Sequence, residues 1–187
     1  MRRADPIKRY SYMNTKLNQM RHWVDRIVVG LELCPFAAVP HRTETIRYAS
    51  SESTEPHEIL ADLLHELSLL DEPGSARTTL LVITAALIDF DDYLDLFAAA
   101  EDLIERTGHA ERFQLVSFHP DYRFEGLSPD DPANHTNRSP SPTIHILRRT
   151  DVAQAIASHE DVGSIPEDNI RRLRTLGSES LARLLSE

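Results

Sequence analysis

Apolar positions recur along the chain with two different periods, and the alternation between them predicts the elements. Leu17, Met20, Val24, Ile27 and Leu31 follow one another at spacings of three and four, with Trp23 and Val28 beside them. That is one stripe of an amphipathic helix. Asn14 is placed to cap its start, and Pro35 disfavours helical backbone at Cys34, so a helix is predicted from about Asn14 to Leu33. Thr43–Ala49 alternates as an edge strand would. A helix capped by Thr54 turns Ile59, Leu60, Leu63, Leu64, Leu67 and Leu70 inward, until Pro73-Gly74 breaks it. Thr78–Thr84 is a continuous apolar run, as expected of a central strand. Asp89 caps the next predicted helix, with Leu94, Phe97, Ala98 and Ile104 toward the core and Gly108 as its stop.

Two short apolar strands follow, Phe113–Phe118 and Thr143–Leu147. Thr150 opens a short helix. Ser164-Ile165-Pro166-Glu167 reads as a capping box for the last one, and Gly177-Ser178 breaks or bends it. Strand–helix–strand units with helices packed on them predict an α+β fold with a four-stranded mixed sheet. The fourth strand follows the third with no helix between them, which leaves an antiparallel pairing open to it. Residues 1–13 read as a flexible tail and 14–187 as a single domain.

Bulk properties narrow the function classes. A chain of 187 residues, 41% apolar, is long enough to bury a core. No apolar run approaches the roughly 20 residues needed to span a bilayer. The start carries charge but no apolar stretch, so neither a signal peptide nor a membrane partner is expected. The formal net charge of −10 repels phosphate backbones, so nucleic acid is not an expected partner. The basic runs His145–Arg149 and Arg171–Arg174 read as solvated ends of regular elements. One cysteine, Cys34, excludes an intrachain disulfide and favours a reducing, cytoplasmic location.

The stretch from His119 to Pro142 has no periodicity and separates strands three and four. A structureless connection of about two dozen residues in a domain of this size points to function. Its prolines and its aromatic anchors Phe118, Tyr122 and Phe124 favour an ordered loop. If the flanking strands pair, its two chemically rich ends meet at one sheet edge.

Three segments together resemble the bacterial family known as domain of unknown function 1415. They are Leu33-Cys34-Pro35-Phe36-Ala37, then Ser117-Phe118-His119-Pro120 with Tyr122 and Phe124, then Asn137-Arg138-Ser139-Pro140 with Pro142, His145, Leu147 and Arg148. The resemblance covers nearly all of the chain after the tail. It implies a cytosolic bacterial context and no particular reaction. Ser141 stands where that family's pattern calls for an aromatic residue.

Three readings of the chemistry follow. In the first, the chain is an enzyme with Cys34 as nucleophile or redox centre, in a hydrolase, transferase or redox class. Cys34 would cap a short turn beginning at Pro35, His119 would act as base, and Asn137, Arg138 and Ser139 would grip a small anionic metabolite. Tyr122, His145 and Arg148 would complete that site. In the second, Cys34, His119 and His145 hold zinc or iron, with no other cofactor indicated. In the third, the loop is a non-catalytic binding or oligomerisation surface. Cys34 is then a packing residue, His119 orders its own loop, and Arg138 caps backbone carbonyls or pairs with Asp121 or Asp130. No glycine-rich phosphate loop, paired-cysteine motif or dinucleotide fingerprint is present.

Overall fold

The computed structural model describes residues 6–85, 89–158 and 161–186. Helix α1, Pro6–Trp23, passes without a break into a π-helical turn, Val24–Val29. The helix therefore starts well before Asn14, inside the stretch that reads as a tail; residues 1–5 lie outside the described residues. It also ends before Leu33. The wide turn closes with Gly30 N–H donating to the Asp25 carbonyl at 2.9 Å. A Cβ on Gly30 would lie 2.4 Å from the Arg26 carbonyl oxygen, so only glycine fits.

After a short helix α2, Ala38–Arg42, Glu44 adopts φ 54°, and the chain extends only from Ile46, as strand β1, Ile46–Ser51. Helix α3, Pro56–Asp71, leads to strand β2, Thr78–Ile83, and helix α4, Phe90–Arg106, to strand β3, Phe113–Phe118. Strand β4, Thr143–Arg148, is followed by helices α5, Arg149–Ala157, α6, Ile165–Leu176, and α7, Ser178–Ser186.

The caps follow local hydrogen bonding. Asp89 accepts from Asp91 N–H at 2.9 Å, as its position predicts. Thr54 does not cap α3; Ser53 Oγ accepts from Glu55 N–H at 2.9 Å, and Pro56 opens the helix. The capping box at Ser164 is not formed either. Asp161 accepts from Ser164 N–H at 3.3 Å and closes a 3-10 turn, Val162–Ser164, that leads into α6. In α4 the buried stripe is Phe90, Tyr93, Leu96, Ala100 and Ile104, while Leu94 and Ala98 are exposed. The expected stripe is out of phase because two overlapping apolar series run through this helix.

The sheet order is β1-β2-β4-β3. Strands β1 and β2 are parallel, and β4 is antiparallel to both β2 and β3, so β1, β2 and β3 point the same way. Helices cover both faces, and β2 is buried throughout. On one face Leu63, Leu67 and Leu70 of α3 and Ala100 and Ile104 of α4 meet Leu81, Phe113, Ile144 and Ile146. On the other, Met20, Trp23, Val24 and Ile27 join Leu173 of α6 and Leu181 of α7 over Leu80 and Val82. Each fully buried aliphatic side chain contributes roughly 1.5–3 kcal/mol, so both layers are needed to hold the sheet. Among the described residues no helix is long and apolar enough to cross a membrane.

Candidate functional site

The long loop leaves the sheet at the edge where β1, β2 and β3 end. Tyr93 of α4 is wedged there: Phe118 N–H donates to its hydroxyl at 3.2 Å, and the hydroxyl donates to the Thr143 carbonyl at 2.7 Å. Burial pushes the Tyr93 phenol up, so it stays a neutral donor. Beyond it the hairpin continues, with His119 N–H donating to Asn137 O at 3.1 Å and Ser139 N–H to His119 O at 3.4 Å. The two ends of the loop therefore meet, as the sequence predicts for paired strands.

His119 is 1% exposed. Its ring lies 5.2 Å from Phe90 and 5.1 Å from Tyr93, and Nδ1 accepts from Asp121 N–H at 3.0 Å. Tyr122 packs between Phe90 and Phe124, at 5.3 and 5.0 Å.

The prolines of the loop remove N–H donors that could pair its carbonyls, and side chains satisfy several of those carbonyls. Arg138 Nε donates to Tyr122 O at 3.0 Å and Nη2 to Pro129 O at 2.6 Å. Asn134 Nδ2 donates to Ser128 O at 2.9 Å, and its Oδ1 accepts from Phe124 N–H at 3.1 Å. Asn137 Nδ2 donates to Ser117 O at 3.1 Å, and Ser139 Oγ to Ser141 O at 2.6 Å. Arg138 thus caps carbonyls, and these bonds tie the polar side chains into the loop's own backbone.

His145 and Arg148 lie further along β4. His145 Nε2 is 2.7 Å from Thr78 Oγ1, whose proton goes to Ile146 O at 2.6 Å, so the imidazole is the donor. Burial pushes its pKa down to about 4, which keeps it neutral. Arg148 holds the α3–β2 connection, donating to Leu70 O and, at 2.9 Å, to Ser75 Oγ. His145 stacks beside Phe118 at 5.8 Å, on the α1 face, whereas the next residue after Phe118, His119, turns to α4. Among the described residues no group of three or more His, Cys, Asp or Glu side chains is placed to hold a metal ion. The set Cys34, His119 and His145 is therefore not a metal centre: two of its members sit on opposite faces of one sheet.

Cys34 lies elsewhere, at a tight corner between the π-helical turn and α2. Glu32 adopts φ 50° without being glycine. Helix α6 grips the carbonyls on either side of it. Arg172 donates to Leu31 O and pairs with Glu32 at 3.2 Å, while Asn169 Nδ2 donates to Leu33 O at 2.8 Å. Ala37 N–H returns to Cys34 O at 3.1 Å, so Cys34 does begin the turn that precedes α2.

The half-buried thiol meets two opposed influences. Burial raises its pKa, and hydrogen bonds from Phe36 and Ala37 N–H lower it. Burial prevails, and the thiol is held above its ordinary range. Cys34 opens onto a cleft of about 380 Å³ whose far wall is α6, with Ser164, Asp168, Asn169 and Arg172. Neither His119 nor Arg138 is among the described residues lining it.

A sequence model of the family described as "Protein of unknown function (DUF1415)" matches residues 15–183. The chain belongs to that family. No curated protein and no solved structure matches it. In this DUF1415 chain, α6 supplies wall residues that sequence reasoning misses. Its Arg171–Arg174 run reads as solvated from sequence and its arginines are exposed, but Arg172 also donates to Leu31 O at the Cys34 corner. The usable signal is Asn169, a polar residue four positions before Leu173 on the same buried stripe.

Helix α6 also reaches the DUF1415 loop. Arg174 forms a two-pronged pair with Asp131, at 2.6 and 3.1 Å, and Asp131 accepts from Ala133 N–H at 3.0 Å. The Cys34 corner and the loop are thus both fastened to one helix.

Proposed function

We propose that this protein binds a small polar metabolite in the cleft between the Leu31–Ala38 corner and α6, with the neutral Cys34 thiol in its wall. The loop 119–142 is then a rigid support for the domain. The observation that carries this reading is the concentration of costly backbone at one corner: the π-helical turn, the close approach at Gly30 and the left-handed Glu32. Such features persist where surroundings over-determine them, and they gather at functional sites.

A cleft of about 380 Å³ suits a metabolite-sized ligand. Its rim carries the carboxylates of Glu32 and Asp168 beside the Arg172 guanidinium. That mixture favours a ligand bearing both signs of charge over a simple anion. The single unpaired cysteine supports a reducing, cytoplasmic location.

One observation favours a second reading, in which Cys34 is a nucleophile. The N–H groups of Phe36 and Ala37 bond the sulfur and would steady a thiolate. A thermal-shift screen of zwitterionic, anionic and cationic metabolites, followed by alkylation of Cys34 with iodoacetamide, tests both readings. Binding in the cleft predicts that stabilising compounds slow the alkylation and that Arg172→Ala weakens them. Stabilisers that leave Cys34 fully reactive would place the ligand elsewhere and end the first reading. Fast alkylation at pH 7, with a midpoint below the free-thiol value of about 8.5, would replace it with the second.

A further inference from the structure

Helix α6 touches the Cys34 corner through one buried side chain. Asn169 is 6% exposed, and its Nδ2 donates to Leu33 O at 2.8 Å. That carbonyl belongs to the peptide joining Leu33 to Cys34, so the bond fixes the plane from which the thiol projects. One residue earlier the backbone is left-handed at Glu32, a conformation that is costly for a side chain bearing a Cβ and that needs outside restraint. Arg172 supplies part of that restraint at Leu31 O, but from the rim, where 41% of its side chain is exposed. Asn169 is the interior part.

We infer that Asn169 is a positioning residue for Cys34: it locks the Leu33–Cys34 peptide so that the thiol is held against the N–H groups of Phe36 and Ala37, facing α6 across the cleft. This rests on the reading of the cleft as the ligand site only for its purpose; the positioning itself is independent of any ligand. The charged groups around the thiol are Glu32 on its own segment and Asp168 and Arg172 on α6. None of them is removed when Asn169 is changed, so a change in Cys34 reactivity reports release of the peptide and entry of water.

The experiment is the pH profile of Cys34 alkylation in the full chain, with folding checked by circular dichroism. Asn169→Ala and Asn169→Leu both delete the donor, and the second keeps the side-chain shape without adding charge. Each is expected to move the midpoint down toward that of an ordinary thiol. Modification at neutral pH then quickens roughly tenfold for each pH unit the midpoint falls. Arg174→Ala loosens α6 at its other attachment, Asp131, and is expected to lower Tm while leaving the Cys34 profile in place. Unchanged profiles in both Asn169 variants, or the same displacement in Arg174→Ala, would overturn the inference. Should both Asn169 variants fail to fold, Asn169→Ser, whose hydroxyl is too short to reach Leu33 O, is read by the same criterion. A roughly threefold or greater acceleration then supports restraint of the corner from α6, and no acceleration overturns it. A metabolite screen without hits would count against the proposed ligand and leave these profiles standing.

Discussion

Tyr93 is the residue on which the loop edge depends, and nothing in its local sequence announces this. Its hydroxyl joins two strands from a helix, accepting from Phe118 N–H and donating to Thr143 O. Tyr93→Phe keeps the ring packing against Phe97 and His119 but leaves both backbone groups unpaired in a buried place. The expected cost is about 1–3 kcal/mol, read as a lower midpoint in urea unfolding. A loss within error would mean that water enters and restores the bridge. Of the residues singled out from sequence, Arg138 was legible in one of its two roles, as a cap for carbonyls. The loop brings Tyr122 O and Pro129 O, separated from each other in sequence, within reach of one guanidinium. His145 was legible as to face, since strand alternation sets it, but its neutrality depends on the helices that cover that face.

Among the elements, the end of α1 carries the clearest demand on sequence. The helix widens into a π turn, and Gly30 closes it where any Cβ would collide with the Arg26 carbonyl. Gly30 has an ordinary helical φ of −63°, so the requirement is space rather than conformational freedom. Gly30→Ala should cost about 1–3 kcal/mol, because the turn must open. It should also speed Cys34 alkylation, because the corner that starts there moves with it. Equal stability and equal reactivity in the variant would show that the turn relaxes to an α-helix without consequence. Periodicity located the strands and the main helices of the sheet layers, but it missed both ends of α1, the phase of α4 and the caps of α3 and α6. The errors in α4 and α3 arise where two apolar series or two neighbouring hydroxyls compete and packing selects one.

At the scale of the whole molecule, acid is the informative stress. His145 is neutral in the fold, with a pKa lowered to about 4. The unfolded imidazole takes a proton near 6.5, so the folded state loses stability as pH falls from there and the loss saturates near 4. The total is about 3 kcal/mol. Asp131 adds a separate loss at lower pH, because Arg174 holds its carboxyl below the usual range and protonation removes the pair. Tm measured from about pH 7 to about pH 4 should decline, and His145→Asn should flatten that decline. A decline of the same steepness in the variant would assign the effect to carboxylates. Periodicity and turn residues settled the order of elements and the ordered loop, because each depends on neighbours within a few positions. The strand–helix–strand connections pointed to the mixed sheet, and the motif resemblance to the family. Folding decided which polar residues face one another. Cys34 came to lie beside Asn169 and Arg172, more than a hundred positions away, and not beside His119, because sheet order and helix docking set such meetings and no local pattern encodes them.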